Sequence, residues 1–155
     1  MRVVVDANIV FSGILNTKGT IGDILINSFG LIDFIAPDFL RTEIRKHHSR
    51  LAKISKLSGE EIIESEFLVC KDIKFISEEQ ISDANWEMPY DLVKGIDERD
   101  IHYVAFSKQF DRKIWSGDKQ LMKGLKNRGF DNFIATKDLL LIRRELIMRK
   151  GRRRT

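Results

Sequence analysis

Two hydrophobic rhythms alternate along this chain. Short runs rich in β-branched and aromatic residues are separated by longer stretches whose apolar positions recur at helical spacing. The first run is Val3-Val4-Val5, stopped by Asp6. Valine fits a pleated surface, and a run apolar at every position reads as a strand buried on both faces. Short runs at 31–36 (ended by Pro37), 74–76, 113–116 (ended by Gly117-Asp118) and 133–135 read as further strands. After Asp6 a loop carrying Ser12, Gly13 and Gly19 is expected. A helix from Thr20 follows, with Ile21, Ile24, Leu25 and Phe29 on one stripe and Gly30 as its stop. Asp38 is the expected N-cap of a single helix through Leu40, Ile44, Leu51 and Ile54. Ser58 with Glu61 has capping-box spacing and opens a helix over Ile62, Ile63 and Phe67. Ser77 with Gln80 repeats that spacing and opens a helix toward Trp86. Past Pro89 and Gly95, a helix starts with Asp97, Glu98 and Asp100 in its first turn and Ile101, Val104 and Ala105 on its apolar face. Another carries Leu121, Met122 and Leu125 to Gly129, and Thr136 caps a last helix over 139–148.

Strands alternating with helices, without repeat or long linker, predict one α/β domain with a central parallel sheet flanked by helices. The domain is expected over residues 1–148, with a basic tail at 149–155. At 155 residues and 43% hydrophobic content there is material for one real core. The single cysteine, Cys70, forms no internal disulfide and is expected as a small buried hydrophobe, which suits a reducing, cytoplasmic setting. No apolar run approaches a membrane span, so no membrane contact is expected. Trp86 and Trp115 read as core or interface, and His47 as a partly buried or interfacial histidine.

Charge adds one feature. The net charge is +4, and Arg149, Lys150, Arg152, Arg153 and Arg154 supply five of the 27 basic residues at one end, leaving the body near neutral. Such a cluster suits nucleic acid, and it equally suits a solvated terminus.

Four acids are candidates for chemistry: Asp6, Glu43, Asp100 and Asp118. Each has an ordinary structural reading. Asp6 with Asn8 could build a turn, Glu43 could pair with His47 one helical turn on, Asp100 could favour its helix N-terminus, and Asp118 could be an N-cap. Taken together they say more. All strands of a parallel sheet end on one edge, which Asp6 and Asp118 therefore share, and helix starts such as that of Asp100 lie near it. Clustered carboxylates repel by ~4 kcal/mol per pair at a separation of about 4 Å in an effective dielectric near 20. Such a cluster persists by holding a proton or a cation, and oxygen-only ligands favour Mg²⁺ or Mn²⁺.

Val4-Val5-Asp6-Ala7-Asn8, Leu40-Arg41-Thr42-Glu43-Ile44, Asp97-Glu98-Arg99-Asp100 leading to Val104-Ala105, and Trp115-Ser116-Gly117-Asp118-Lys119 resemble the four acidic motifs of the PIN domain family. Their order and spacing match from residue 1 to about 140. The resemblance implies a PIN-like fold and a metal-dependent ribonuclease, which in many members is the toxin of a toxin–antitoxin pair. It implies Asp6, Glu43, Asp100 and Asp118 as the catalytic, metal-binding acids, with Asp97 counted beside Asp6, Asp100 and Asp118 as a metal ligand. Asp97, three residues before Asp100 on the same helix face, stands as a ligand, the third acid itself or a cap, and Asp100 is preferred. Ser116 matches the family's small hydroxyl residue, and Asn8 the polar residue after the first acid. Lys119 and Gln120 follow Asp118 where many members carry another acid, so a second metal would be held weakly or only with substrate.

The expected reaction is phosphodiester hydrolysis, with RNA the expected substrate and an antitoxin and a second copy as possible partners. Asn8, Ser116, Arg149, Lys150 and Arg152 are the expected substrate contacts. The alternative from another class is a PIN-like nucleic-acid or protein-binding module without turnover. An aspartyl phosphatase ranks last, because its signature puts a second Asp where this chain has Asn8.

Overall fold

The computed structural model describes residues 1–153; Arg154 of the terminal basic run and Thr155 lie outside the described residues. Five strands, β1 (Arg2–Val5), β2 (Asp33–Pro37), β3 (Ile73–Ile76), β4 (Ile114–Trp115) and β5 (Phe133–Ile134), form one sheet in the order β3-β2-β1-β4-β5. All pairings are parallel, with Val4 facing Ile35 on one side and Ile114 on the other. The chain winds outward from β1 through β2 to β3, then crosses to β4 and β5. The topological switch therefore falls between β1 and β4, where ligands of open α/β sheets bind at the carboxyl edge.

Alternation along each strand divides the core in two. Val3, Val5, Phe34, Ala36 and Trp115 face one side, with α1 (Ala7–Leu15), α2 (Thr20–Asn27), α3 (Phe39–Lys46), α4 (His48–Ser55), α5 (Gly59–Cys70) and α10 (Thr136–Arg152). Val4, Ile35 and Ile114 face the other, with α8 (Glu98–Phe110) and α9 (Lys119–Asn127). The period of two thus serves both faces, and all three valines of β1 have no exposed surface. Two short helices, α6 (Asp83–Trp86) and α7 (Tyr90–Val93), fill the approach to α8. No single helix among the described residues is long and apolar enough to cross a membrane.

Several local expectations are corrected. No loop follows Asp6: α1 starts at Ala7 with Asp6 as its N-cap, and Gly13 is buried within it. The helix expected across Leu40 to Ile54 is two, broken at His47. Leu51 stays in the core while Ile54 is 58% exposed. Asp38 makes no capping hydrogen bond; the first free N–H of α3, on Phe39, is satisfied instead by Glu78 Oε1 at 3.3 Å. The Ser58–Glu61 capping box forms with both of its bonds, whereas Ser77 opens only a 3₁₀ turn at Glu78–Gln80. Thr136 is not a cap, since its hydroxyl accepts from Trp115 Nε1 at 3.0 Å and so ties α10 to β4. Cys70 is half-buried, its thiol pushed up to about 12, mainly by burial.

The basic run is not a loose tail. Helix α10 continues through Arg152, so Arg149, Lys150 and Arg152 ride on its last turns. Its middle is tied to α2 by Arg143, which donates to the Asp23 carboxylate at 2.5 Å and to the Asp23 carbonyl at 3.2 Å.

Two glycines on helices test how tightly this packing is set. A Cβ on Gly22 of α2 would lie 2.5 Å from the Thr17 carbonyl and 2.7 Å from that of Asn16, both rigid backbone. A Cβ on Gly124 of α9 would meet nothing within 4 Å. Gly22→Ala is expected to lose about 1–3 kcal/mol by overpacking. Gly124→Ala is expected to gain about 0.5–1 kcal/mol through restricted unfolded-state freedom. Urea unfolding of the two variants checks the opposite signs.

Candidate active site

The carboxyl edge of the sheet beside β1 opens into a cleft of about 200 Å³ lined by Asp6, Asn8, Glu43, Asp97, Asp100 and Asp118, together with Arg99 and Tyr103. Asp6 is the innermost of the acids at 4% exposure. It meets protein groups on three sides. Its backbone N–H extends the sheet by donating to the Trp115 carbonyl at 3.3 Å. Its Oδ1 accepts from the Ile9 N–H at 2.9 Å, the capping bond of α1. Ser116, itself buried, lies beside its carboxylate.

Desolvation pushes the Asp6 carboxyl up to about 6, against the lowering effect of Ser116 beside it and of the Ile9 hydrogen bond; the charges of Asp100 and Asp118 add to the rise. The Asp100 carboxyl is raised as well, first by burial, then by Asp97 and Asp118, with Arg99 opposing. These mutual effects mark Asp6, Asp100 and Asp118 as one electrostatic group. No Lys, Arg or His forms an ion pair with any of the three among the described residues.

Asp118 reaches the cleft because α9 begins there. Its Oδ1 accepts from the Leu121 N–H at 2.9 Å, and its own N–H donates to Ser116 Oγ at 3.1 Å. Ser116 thus sits between the two ends of the switch point, beside the Asp6 side chain and bonded to the Asp118 backbone. Glu43, on α3, faces His47 Nε2 and Lys46 Nζ, each at 3.6 Å, and Arg99 Nη1 at 3.5 Å. Helix α8 is braced at this edge by His102, whose ring stacks edge-on between Phe39 and Trp86.

Asp97 and Asp100 take different surroundings. Asp97 caps α8 by accepting from the Arg99 N–H at 2.9 Å, and the Arg99 guanidinium grips both of its oxygens, at 3.1 and 3.0 Å. That grip, with the capping bond, holds the Asp97 carboxyl below the usual range. Asp100 forms no ion pair among the described residues and interacts with Asp118 and Asp6.

Arg149, Lys150 and Arg152 are not brought to this cleft. A helix that follows a parallel strand runs back toward the sheet's amino edge, and α10 ends there. Lys150 Nζ donates to the Gly30 carbonyl at 2.6 Å, just ahead of β2, and Arg149 pairs with Glu145 at 4.0 Å. Arg99 lines the cleft and pairs with Asp97 and Glu43, and the sequence reading passed over it as part of an acidic motif. Tyr103 was missed too, hidden in the apolar face of α8; its residual exposure is 3%, and its hydroxyl lies near the Ala7 backbone without a hydrogen bond of good geometry.

A parallel α/β sheet with acids gathered at the carboxyl edge of its switch point defines a class of protein that handles charged ligands there. The family model described as PIN domain matches residues 4–139, and the chain belongs to that family. No curated protein matches it. PIN domains are generally nucleases and typically use divalent metals.

The residues fit such a metal in kind. Asp6, Asp100 and Asp118 offer only oxygen donors, and the buried Asp6 has no positive partner, the state a hard divalent cation relieves. In position they are not preassembled: among the described residues no three His, Cys, Asp or Glu side chains already stand close enough to hold an ion. Asp100→Asn is expected to weaken Mn²⁺ binding at least about tenfold, while Asp97→Asn, which keeps an N-cap, leaves it within about twofold. Titration calorimetry of both variants decides between the two acids.

Proposed function

We propose that this chain is a Mg²⁺- or Mn²⁺-dependent endoribonuclease hydrolysing RNA phosphodiester bonds. The observation that carries the reading is the buried Asp6 carboxylate, held at the end of β1 without a cationic partner among the described residues and sharing its cleft with Asp100 and Asp118. Asp6, Asp100 and Asp118 would hold the cation. Bound there, a divalent cation supplies Lewis acidity, making water a nucleophile at neutral pH and offsetting charge on the phosphoryl oxygens.

The protein's own groups set the geometry. Ser116 holds the Asp118 backbone and stands beside the Asp6 carboxylate, which the Ile9 N–H fixes. Asn8, exposed on the first turn of α1, offers an amide to a phosphate or sugar oxygen entering beside Asp6. Glu43 stands across the cleft to orient water or accept its proton, and its tie to Arg99 keeps it aimed inward. Arg99, 59% exposed, presents a planar fork that suits a phosphate as well as it suits Asp97.

A toxin role within a toxin–antitoxin pair rests on the family resemblance alone. An adjoining small open reading frame whose product binds the chain and silences it is the expected companion.

Asp6→Asn keeps the size and capping ability of the residue and removes its charge, so the fold is expected to persist while EDTA-sensitive RNA cleavage disappears. The check is a cleavage assay with Mg²⁺, Mn²⁺ and EDTA, read beside circular dichroism. Undiminished Mg²⁺-dependent cleavage by the variant, or cleavage by the parent chain that EDTA does not touch, overturns the reading.

A further inference from the structure

Tyr103 divides into two parts that obey different rules. Its ring belongs to the core, in the same buried cluster as Val4 and Ile35 and tilted against Phe39 at 6.0 Å between centroids. A phenylalanine would fill that place equally well. The hydroxyl is another matter, because it is enclosed and has no hydrogen-bond partner of good geometry among the described residues. A buried hydroxyl left unpaired destabilises a fold, and a buried tyrosine ordinarily has something for its hydroxyl to bond. Packing accounts for the ring and leaves the oxygen unexplained.

Its position says what the oxygen is for. Side chains of a helix lean toward its N-terminus, and the N-terminus of α8 stands at the acids, so Tyr103 joins the lining of the cleft one turn after Asp100. Asp6 is the charge that acts on the hydroxyl most strongly, followed by Asp100 and then Glu43. Burial first, and then these charges, raise the hydroxyl above its ordinary range and keep it a neutral donor. The oxygen has essentially no surface that a water could touch, so solvent does not satisfy it. The groups facing it are carboxylates, which accept, and none of them is bonded to it in the ion-free chain. Of these, Asp6 is the nearest in effect. Ile9 takes its Oδ1, and its other oxygen has no backbone donor.

We propose that Tyr103 is a positioning residue for the cation, its hydroxyl donating to the second oxygen of the Asp6 carboxylate when a divalent ion occupies the cleft. The inference rests on the metal-dependent nuclease reading and adds to it a contact that exists only in the bound state. The acids are not preassembled, so an ion has to draw them together, and a carboxylate that shifts toward it can come within reach of a donor already waiting at the floor. Outer-shell donors of this kind orient a ligating carboxylate and strengthen ion binding. The free chain carries an unpaired hydroxyl and the bound chain does not, and that difference appears as affinity. Tyr103 touches neither substrate nor ion and acts through Asp6.

Tyr103→Phe removes only the oxygen. Tyr90→Phe, at the exposed position of the chain's other tyrosine, is the control. Three quantities are read on both variants and the parent chain: the urea midpoint in EDTA, Mn²⁺ affinity by calorimetry, and the change in tyrosine ultraviolet absorption on adding Mg²⁺. Tyr103→Phe is expected to unfold in EDTA at the same or higher urea, since it loses an unpaired group, and yet to bind Mn²⁺ about tenfold more weakly. Mg²⁺ is expected to shift the tyrosine band to the red in the parent and in Tyr90→Phe, as a hydroxyl that begins to donate to a carboxylate does, and not in Tyr103→Phe. A lower urea midpoint for Tyr103→Phe in EDTA overturns the proposal, because the hydroxyl then has a partner in the free chain. Parent-like Mn²⁺ affinity of that variant, or an absorption shift that survives in it, overturns the proposal and leaves the nuclease reading standing. Failure of the parent chain to bind either ion overturns both.

Discussion

The arrangement depends on one uncomfortable group, a carboxylate buried at the carboxyl end of the central strand. Taking a charged carboxylate out of water costs several kcal/mol unless something compensates it. Asp6 recovers part of that cost through its N-capping bond to Ile9, typically worth ~1 kcal/mol, and Ser116 beside it also favours the charged form. What remains shows in the carboxyl's rise to about 6. The neighbours deepen the problem: Asp100 and Asp118 face the same cleft, and neither brings a cation. Three carboxylates held this way at one edge, with both faces of the sheet covered by helices, concentrate negative charge in the cleft.

The placement of the other charges follows from handedness and direction. In a parallel sheet every strand delivers its successor helix from the carboxyl edge and that helix runs back to the amino edge. Helix N-termini therefore gather round the acids, as α1, α8 and α9 do, with Asp6, Asp97 and Asp118 as their caps. Helix C-termini gather opposite, and the basic last turns of α10 lie there, beside Gly30. Positive charge at the acidic edge comes from inside the motif instead, from Arg99, with Arg50 further along α4. Arg99 has two occupations open to it. Without a ligand it neutralises Asp97 and reaches Glu43; a phosphate would offer its fork the same geometry.

The sequence made the framework readable because each strand carries its own evidence. Val3 to Val5 had to be buried on both faces, and Asp6 had to emerge at an edge. The Ser58–Glu61 box is chemistry local enough to be read from spacing alone. What failed needed tertiary knowledge. Asp38 looks like a cap, yet Glu78, from the next strand's end, does its work across 39 intervening peptide bonds. The helix through Ile54 looks continuous because His47 breaks the backbone without breaking the apolar period. Gly13 suggested a loop, but it sits within α1 because Leu25 and Val69 pack against it, where a Cβ would come within 2.9 and 3.3 Å of them. The terminal arginines were weighed as a charge sum, and a sum has no direction. Arg99 and Tyr103 were masked by their neighbours, one among acids and one among hydrophobes.

The central claim is that the cleft is built around Asp6 to hold a divalent cation. Crystals grown with Mn²⁺ and measured for its anomalous signal test it most directly. One strong peak is expected in the cleft, about 2.2 Å from a carboxylate oxygen of Asp6 and within coordination reach of Asp100 or Asp118. Manganese sites elsewhere on the molecule, with none touching Asp6, would contradict it.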